Sequence, residues 1–452
     1  LGHEVEVMPS GAQAIEAFEA AARDRRQPYD LVILDMLFDA KYVAVADQTP
    51  DVGLVLVAGA TDCLPQVTEY PAGRPLKGKE VRAFIDFLRD QPDDPPEVRC
   101  GKDDICYVQY TGGTTGPPKG ALLTNGNLVA NICQFDHWVK PERGREVFLT
   151  GFPMFHQAGL YLATCMMAWG CKQVLIPDPR NLKYIIAEWK AHPPTLVGNV
   201  PSLALMLLGE EEFRKLEFSQ LRAWASGAAP FPVEAVKSLE AVIGKGKMVE
   251  VWGMTETSPL ITVNPYLGQK KLGSVGLPFP STRLRVVDLN DGETQVPLGE
   301  EGELICSGPQ VMKGYHNKPE ETKNSLREHD GAIWMHTGDV GRLDEDGYVY
   351  VVDRAKDMII VGGYKVFSSK VEDTIAKHPA VGMIALVGID NPKRPGSEIV
   401  KGFVQLDADY DYDGDESALQ EDIIRFAKES GAAAWIFRLP GVFGKWSRPN
   451  YN

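Results

Sequence analysis

Apolar runs alternate with polar segments along the middle of the chain. The runs at residues 147–152, 173–176 and 195–197 have the length of buried strands, and amphipathic stretches lie between them. Strands that alternate with helices favour a parallel sheet with crossover helices. We therefore predict an α/β fold whose large domain is built from αβα-layered parallel sheets.

The pattern changes after Gly273. Shorter apolar segments separated by tight turns, at residues 282–292 and 302–308, predict a small antiparallel β-barrel attached to the large domain. The pattern that begins near Asp353 predicts a last unit, a small α+β domain. Its expected helices and strands lie at residues 369–377, 384–387, 402–406 and 418–430.

The first 36 residues read as strand, helix and strand. They are similar to the middle of a response-regulator receiver domain, with Asp35 at the phospho-acceptor position. The acidic pair of a receiver would precede Leu1, so a partial βαβ unit is the better interpretation. A Pro- and Asp-rich segment at residues 89–104 predicts an exposed linker.

Composition narrows the class of protein. The 452 residues are 44% hydrophobic and 24% charged, which is typical of a globular protein. A net charge of −15 disfavours nucleic acid as a partner. Seven scattered cysteines without a CxxC pair favour reduced thiols in a cytoplasmic enzyme. The longest apolar run, residues 158–171, is shorter than the ~18 residues of a membrane span, so we expect at most peripheral membrane contact.

The segment QYTGGTTGPPKGALLTNGN, residues 109–127, looks like a phosphate loop but breaks the Walker A rule. A Walker lysine follows the last glycine and precedes a hydroxyl residue, whereas Lys119 precedes Gly120 and Ala121. Glycines let backbone N–H groups converge on an anion, and threonines add donors. The candidate phosphate ligands are Thr111, Gly112, Gly113, Thr114, Thr115, Gly116 and Lys119.

Two further segments carry candidate chemistry. In VWGMTETSP, Trp252 offers a flat aromatic ring (an aromatic plate), Thr255 a hydroxyl donor and Glu256 a hard oxygen ligand suited to Mg²⁺. The alternative interpretation is a strand-to-helix turn capped by Thr255. In residues 334–366, the glycine-flanked Asp339 can chelate two ribose hydroxyls. Arg354 would contact the same nucleotide or form a surface ion pair.

These segments occur in the order found in the acyl-adenylate-forming superfamily, and the chain resembles that family over residues 37–445. GMTETSPLITVNPY, GSVGLPFPSTRLRVVD and GPQVMKGY are similar to the bacterial long-chain fatty acid–CoA ligases. The resemblance implies activation of a long- or medium-chain fatty acid by ATP and Mg²⁺ to acyl-AMP. Transfer to coenzyme A would then give acyl-CoA, AMP and pyrophosphate. A homodimer is also expected.

The resemblance also implies roles for single residues. The Gly/Thr loop would hold the β- and γ-phosphates, Thr255 the α-phosphate and Glu256 the magnesium. His156, by itself more typical of a core histidine, would lie near the substrate carboxylate. The remaining implied roles are adenine lining by Gly227, Ala228, Trp252 and Gly253, ribose binding by Asp339 and Arg354, a hinge at Lys356, an acyl-adenylate-facing surface at Gly362 and Gly363, and catalysis by Lys445.

The expected domains are a partial βαβ segment at 1–36, an AMP-binding large domain at 37–352 and a small domain at 353–452. The stretch before Lys445 and the amino end both depart from the family pattern, so we expect a fragment or divergent protein that turns over poorly. Alternatives are a ligase for an aromatic or short-chain acid, a ligase that stops at acyl-AMP, and an inactive nucleotide-binding fragment.

Overall fold

The structure is a computed structural model of the chain. It describes residues 97–111, 118–361, 364–392, 394, 397–407, 410–411 and 414–430, together with residue 89 and three short strands before it. Gly112–Gly116, Gly362, Gly363 and Lys445 therefore lie outside the described residues, as does most of the first 36 residues.

The strands of the first half, in chain order, are β1 (Leu31–Asp35), β2 (Leu54–Ala58), β3 (Glu80–Ala83), β4 (Ile105–Thr111), β5 (Lys119–Thr124), β6 (Val147–Thr150), β7 (Lys172–Leu175), β8 (Leu196–Asn199), β9 (Ala223–Ser226), β10 (Met248–Gly253) and β11 (Leu260–Val263). Those of the second half are β12 (Leu277–Pro278), β13 (Arg283–Val287), β14 (Gly302–Ser307), β15 (Gly314–Tyr315), β16 (Leu326–His329), β17 (Ala332–Leu343), β18 (Val349–Arg354), β19 (Ile359–Val361), β20 (Tyr364–Val366), β21 (Val381–Asp390) and β22 (Glu398–Leu406).

The helices are α1 (Asn125–Val139), α2 (Gln157–Trp169), α3 (Leu182–Ala191), α4 (Pro201–Gly209), α5 (Glu211–Arg214), α6 (Val233–Ile243), α7 (Pro319–Ser325), α8 (Ser368–Ile375) and α9 (Glu416–Glu429). A 3₁₀ turn spans Thr255–Thr257. Within the described ranges, none of these helices is long and apolar enough to cross a membrane.

A seven-stranded sheet in the order β12-β11-β10-β9-β8-β6-β7 forms the centre of the large domain. Strands β10, β9, β8, β6 and β7 are parallel, while β11 and β12 run antiparallel at one edge. The crossover helices lie on both faces. One face packs Trp189 and Trp224 against α4 and α6, and the other packs Phe148 against α1 and α2. The predicted αβα layering is confirmed.

Three smaller sheets complete the described large domain. Strands β1, β2 and β3 form a parallel sheet, and β15, β5 and β4 form an antiparallel one. Strands β13, β14, β17 and β16 form a larger antiparallel sheet in which β18 pairs with β17. The antiparallel pairing predicted after Gly273 is confirmed. A shared apolar cluster, which includes Leu123, Trp252, Leu304 and Met335, joins the two antiparallel sheets to the central sheet.

The last unit has the predicted α+β composition. Hairpins β19-β20 and β21-β22 pack with α8 and α9 around Ile359, Ile375, Val400 and Ile423. The observed elements extend the predicted ones by a few residues at most positions, because side-chain periodicity marks the centre of an element better than its ends.

Candidate nucleotide site

The carboxyl ends of the parallel strands form the edge at which α/β sheets bind ligands. Strand β9 is followed by Gly227 and Ala228, and β10 contains Trp252 and Gly253 at its end. A side chain at Gly227 would come within 2.7 Å of Val251, and one at Gly253 within 2.0 Å of a backbone oxygen. Gly227 therefore lets the ends of β9 and β10 lie close together, and Gly253 lets the segment at Pro259 pack against the end of β10.

Ala228 has a φ of 68°, in the left-handed region that alanine rarely adopts. The residue is exposed and directly follows the tightly packed Gly227. Strained backbone of this kind concentrates at functional sites. The predicted adenine-lining residues are thus brought to one edge of the central sheet.

Trp252 is connected to a carboxylate of a different sheet. Its indole Nε1 donates a 2.7 Å hydrogen bond to Oδ2 of Asp339 on β17. On the neighbouring strand, Arg354 Nε lies 2.9 Å from Asp339 Oδ1. Burial raises the pKa of Asp339, while Arg354 and then the Trp252 hydrogen bond favour its ionised form. The two candidate ribose ligands and the candidate adenine plate therefore form one cluster.

Arg354 forms an ion pair with Asp339, as one of its two predictions expected, and its contact with a nucleotide stays a prediction. Its side chain is 51% exposed, whereas the Asp339 side chain is 5% exposed. The contact is an ion pair without hydrogen-bond geometry, because Asp339 Oδ1 accepts no hydrogen bond within the described residues. A buried carboxylate oxygen with an unfilled acceptor site fits a ribose hydroxyl.

A bulge in β17 aims Asp339 toward this cluster. Glu303 of β14 pairs with Val340, and Ile305 pairs with His336. A separation of two residues on β14 therefore corresponds to a separation of four residues on β17. The Glu303 carboxylate replaces the missing ladder bonds: it accepts from Gly338 N at 3.0 Å and lies 2.9 Å from His336 Nδ1.

The bulge also needs Gly338 and Thr337. Gly338 has a φ of 71°, and Thr337 Oγ1 donates to Leu304 O and accepts from Asp339 N. Burial opposes ionisation of Glu303, but the contact with His336, the hydrogen bond from Gly338 N and the charge of Arg327 together outweigh it and lower the pKa of Glu303. Sequence reasoning missed Glu303, because its role depends on cross-strand register.

Glu256 lies in the 3₁₀ turn that follows β10. It is buried, and Tyr315 of β15 donates a 2.6 Å hydrogen bond to its Oε1. Burial raises the pKa of Glu256, while Tyr315, Arg354 and Lys119 favour the carboxylate. Arg354 and Lys119 therefore both lie near Glu256, which links the candidate nucleoside end of the site (Trp252, Asp339 and Arg354) to the candidate phosphate end (Lys119).

The predicted cap at Thr255 is wrong in its position, since the cap residue of this turn is Met254. Thr255 lies inside the turn and is half-buried. Within the described part of the chain, no group of three His, Cys, Asp or Glu side chains forms a metal site. A single buried carboxylate still fits Mg²⁺, which commonly takes one or two carboxylates and completes its shell with substrate phosphates.

Lys119 begins strand β5, whereas a Walker lysine enters a helix. It faces Thr111 across the β4-β5 hairpin, and helix α1 starts only after the capping residue Thr124. Lys119 Nζ lies 2.5 Å from Glu321 Oε2 and over the Tyr315 ring. The inverted Lys-Gly order thus reflects a hairpin, and sequence reasoning missed both Tyr315 and Glu321.

His156 is exposed, so the interpretation as a core histidine is wrong. It caps α2, with Nδ1 accepting from Ala158 N at 3.2 Å, which leaves its proton on Nε2. Gln109 of β4 donates a hydrogen bond to Phe155 O and so connects this segment to the hairpin of Lys119.

Lys356 is exposed in the turn after β18. Its positive charge favours the ionised form of Asp339.

The fold and the site define an α/β protein with a candidate nucleotide site where three sheets meet. The AMP-binding enzyme family model matches residues 21–316. The chain belongs to the AMP-binding enzyme family, as its motifs predicted.

Two curated relatives and one solved structure illustrate this membership. The long-chain-fatty-acid–CoA ligase of Bacillus subtilis strain 168 is 41% identical over 403 residues, which cover 83% of this chain and 68% of the relative. The long-chain-fatty-acid–CoA ligase of Escherichia coli O6:H1 is 36% identical over 330 residues, which cover 72% of this chain but only 56% of the relative. The ATP-bound MatB of Rhodopseudomonas palustris is 25% identical with a TM-score of 0.72, covering 94% of this chain and 86% of that chain.

Proposed function

We propose that the chain activates a carboxylic acid with ATP to an acyl-adenylate and then transfers the acyl group to coenzyme A. The observation that carries the proposal is the connected set Trp252–Asp339–Arg354 and Glu256–Tyr315–Lys119. It offers an aromatic plate and a carboxylate to a nucleoside, and a carboxylate and a lysine to a triphosphate with its magnesium.

In the first half-reaction, a substrate carboxylate oxygen attacks the α-phosphorus and the bond to the β-phosphate breaks. The nucleophile is already an anion, so no general base is needed. Lys119 and the hairpin stabilise the departing pyrophosphate, and Thr255 donates to the α-phosphate. Magnesium held by Glu256 would neutralise charge on the phosphate oxygens.

In the second half-reaction, the thiol sulfur of coenzyme A attacks the acyl carbon. A C–S bond forms, the acyl C–O bond breaks, AMP leaves and the thiol proton passes to solvent. We propose that the small domain turns about Lys356 between the two steps, which presents Gly362 and Gly363 to the acyl-adenylate and withdraws Lys445.

We propose a long- or medium-chain fatty acid as the substrate, on the strength of the names of the two curated relatives. His156 lies beside the exposed apolar residues Met154 and Phe155, at the sheet edge where an acyl chain would enter. We also propose that the chain forms a homodimer and contacts a membrane peripherally. Sedimentation tests the dimer, and vesicle flotation tests the membrane contact.

The test incubates the protein with ATP, Mg²⁺, coenzyme A and a panel of fatty, aromatic and short-chain acids. We expect equal amounts of AMP and pyrophosphate, with thioester formed from the fatty acids. ADP with inorganic phosphate would refute the mechanism. Turnover only with aromatic or short acids would refute the substrate, and acyl-AMP without thioester would refute the second half-reaction.

Lys445→Ala separates the two half-reactions. It is expected to abolish adenylation while thioester formation from supplied acyl-AMP continues. Equal loss of both steps would refute the role proposed for Lys445.

A further inference from the structure

The amino end of α8 contacts the large antiparallel sheet across the proposed hinge at Lys356. Asp353 lies on β18, which pairs with β17, and it precedes the hinge. Its carboxylate Oδ2 accepts two hydrogen bonds from α8, one from Ser369 N and one from Ser368 Oγ, each 3.2 Å long. Ser369 Oγ in turn donates a 2.5 Å hydrogen bond to Val352 O. Three hydrogen bonds therefore join residues that lie on opposite sides of the hinge.

Asp353 supplies a helix cap that α8 lacks in its own sequence. The first N–H groups of a helix have no partner within it, and Asp is among the favoured capping residues. The residue at the cap position of α8 is Phe367, whose side chain makes no capping hydrogen bond. The Asp353 carboxylate takes over this function, and its negative charge suits the positive end of a helix. The cap and the helix that it serves thus lie on either side of Lys356.

The carboxylate of Asp353 is itself held in place on β18. Its Oδ1 accepts a 2.8 Å hydrogen bond from Arg354 N, so each of its oxygens has a partner. Arg354 is the candidate nucleotide ligand whose guanidinium pairs with Asp339. Lys370, the next residue of α8, adds an ion pair with Glu301, which precedes β14. Both side chains of that pair are partly exposed, so it contributes less than the cap.

We propose that Asp353 is a latch: its carboxylate holds the amino end of α8 in the orientation that the structure shows and releases it when the small domain turns about Lys356. The inference rests on the proposed function, in which that turn separates the two half-reactions. Such a turn moves α8 relative to β18 and breaks these hydrogen bonds. Contacts that exist in one of two conformations shift the equilibrium toward that conformation. The latch therefore favours the half-reaction that takes place in this orientation and opposes the other.

Asp353→Ala tests the latch when the two half-reactions are timed separately. Pyrophosphate release from ATP and a fatty acid reports adenylation, and thioester formation from supplied acyl-AMP and coenzyme A reports the second step. We expect the ratio of the two rates to change by at least about 5-fold, since a charged helix cap is lost in one orientation only. An unchanged ratio, with both rates reduced equally or not at all, would overturn the proposal.

Two milder variants keep the test decisive if Asp353→Ala does not fold. Asp353→Asn keeps an acceptor but removes the charge, and Ser369→Ala removes only the hydrogen bond to Val352 O and the contribution of one hydroxyl. Both should move the ratio of the two rates in the same direction, by about 2-fold or more. No shift, or shifts in opposite directions, would contradict a common latch.

Asp415→Ala is the matched control. Asp415 caps α9 by accepting a 3.0 Å hydrogen bond from Ala418 N, and both residues lie on the same side of Lys356. Its loss should lower the unfolding midpoint but leave the ratio of the two rates unchanged. A ratio that shifts as in Asp353→Ala would show that any lost cap has this effect, and it would refute the latch.

The same measurements separate this inference from the proposed function. If the unmodified protein performs neither half-reaction, the proposed function fails together with the latch. If both half-reactions proceed and the Asp353 variants leave the ratio of their rates unchanged, the latch alone fails.

Discussion

The proposed nucleoside end and the proposed phosphate end of the site hold their charged groups differently. At the nucleoside end, Asp339 is buried and fixed by Trp252 and by the bulge that Glu303 supports. At the phosphate end, Lys119 is 34% exposed and paired with Glu321, whose side chain is 44% exposed. The contact between Trp252 and Asp339 is buried, and the contact between Lys119 and Glu321 lies at the surface.

The difference matches the chemistry that the two ends would perform. A nucleoside that stays bound through both half-reactions favours a rigid recognition site, because fixed partners cost little ordering entropy on binding. A pyrophosphate that must leave favours a lysine with an exchangeable partner. Glu256 lies between the two ends, and the positive charges of Lys119 and Arg354 both favour its ionised form.

Glu256→Gln should have the largest effect, since it removes the candidate magnesium ligand at the junction of the two ends. We expect the rate of pyrophosphate release to fall by about 100-fold or more while AMP binding is retained. Glu250→Gln is the control: Glu250 is a carboxyl on β10, six residues before Glu256, and burial raises the pKa of Glu250 to about 7. Similar rates for the two variants would contradict the role of Glu256.

Glu303→Gln should weaken the nucleoside end only. It keeps an acceptor for Gly338 N but loses the charge that holds His336. We expect KM for ATP to rise about 10-fold with little change in kcat, because the loss of a charged hydrogen bond misplaces Asp339. Glu328→Gln on the exposed side of β16 should change neither constant. A fall in kcat at constant KM would count against a positioning role.

Tyr315→Phe should change the pH profile of activity. Burial raises the pKa of Glu256 and the Tyr315 hydrogen bond opposes that rise, so its loss raises this pKa further. Magnesium binding needs the carboxylate form of Glu256. On acidification, the variant should therefore lose activity at a higher pH than the unmodified protein. The rate well above that pH should change by only about 3-fold. An unchanged acid limb would show that Tyr315 does not control the ionisation of Glu256.

Glu321→Gln should have the smallest effect. The substitution frees Lys119 from its surface partner, so pyrophosphate should bind slightly more tightly, by about 2-fold, and the unfolding midpoint should stay constant. Inhibition by pyrophosphate measures the change. A large loss of pyrophosphate affinity would mean that Glu321 orients Lys119 and does not compete for it.

Sequence alone predicted the elements that carry strong periodicity. Three strands of the parallel sheet, β6, β7 and β8, and the helices of the last unit were identified, and the motif residues Trp252, Glu256 and Asp339 were singled out, because glycine turns and apolar runs mark them locally. Glu303, Tyr315 and Glu321 were not, since each acts through a residue far away in the chain. Their partners depend on strand register, which a local pattern does not reveal.

Calorimetric titration of AMP into Asp339→Asn tests the central claim most directly. The account predicts binding at least about 10-fold weaker than in the unmodified protein, because a buried charged acceptor is lost. Asp346→Asn, which alters an exposed carboxylate near Lys271, should bind AMP normally. Equal AMP affinity in the folded Asp339→Asn variant and the unmodified protein would contradict the assignment of this carboxylate to the nucleoside.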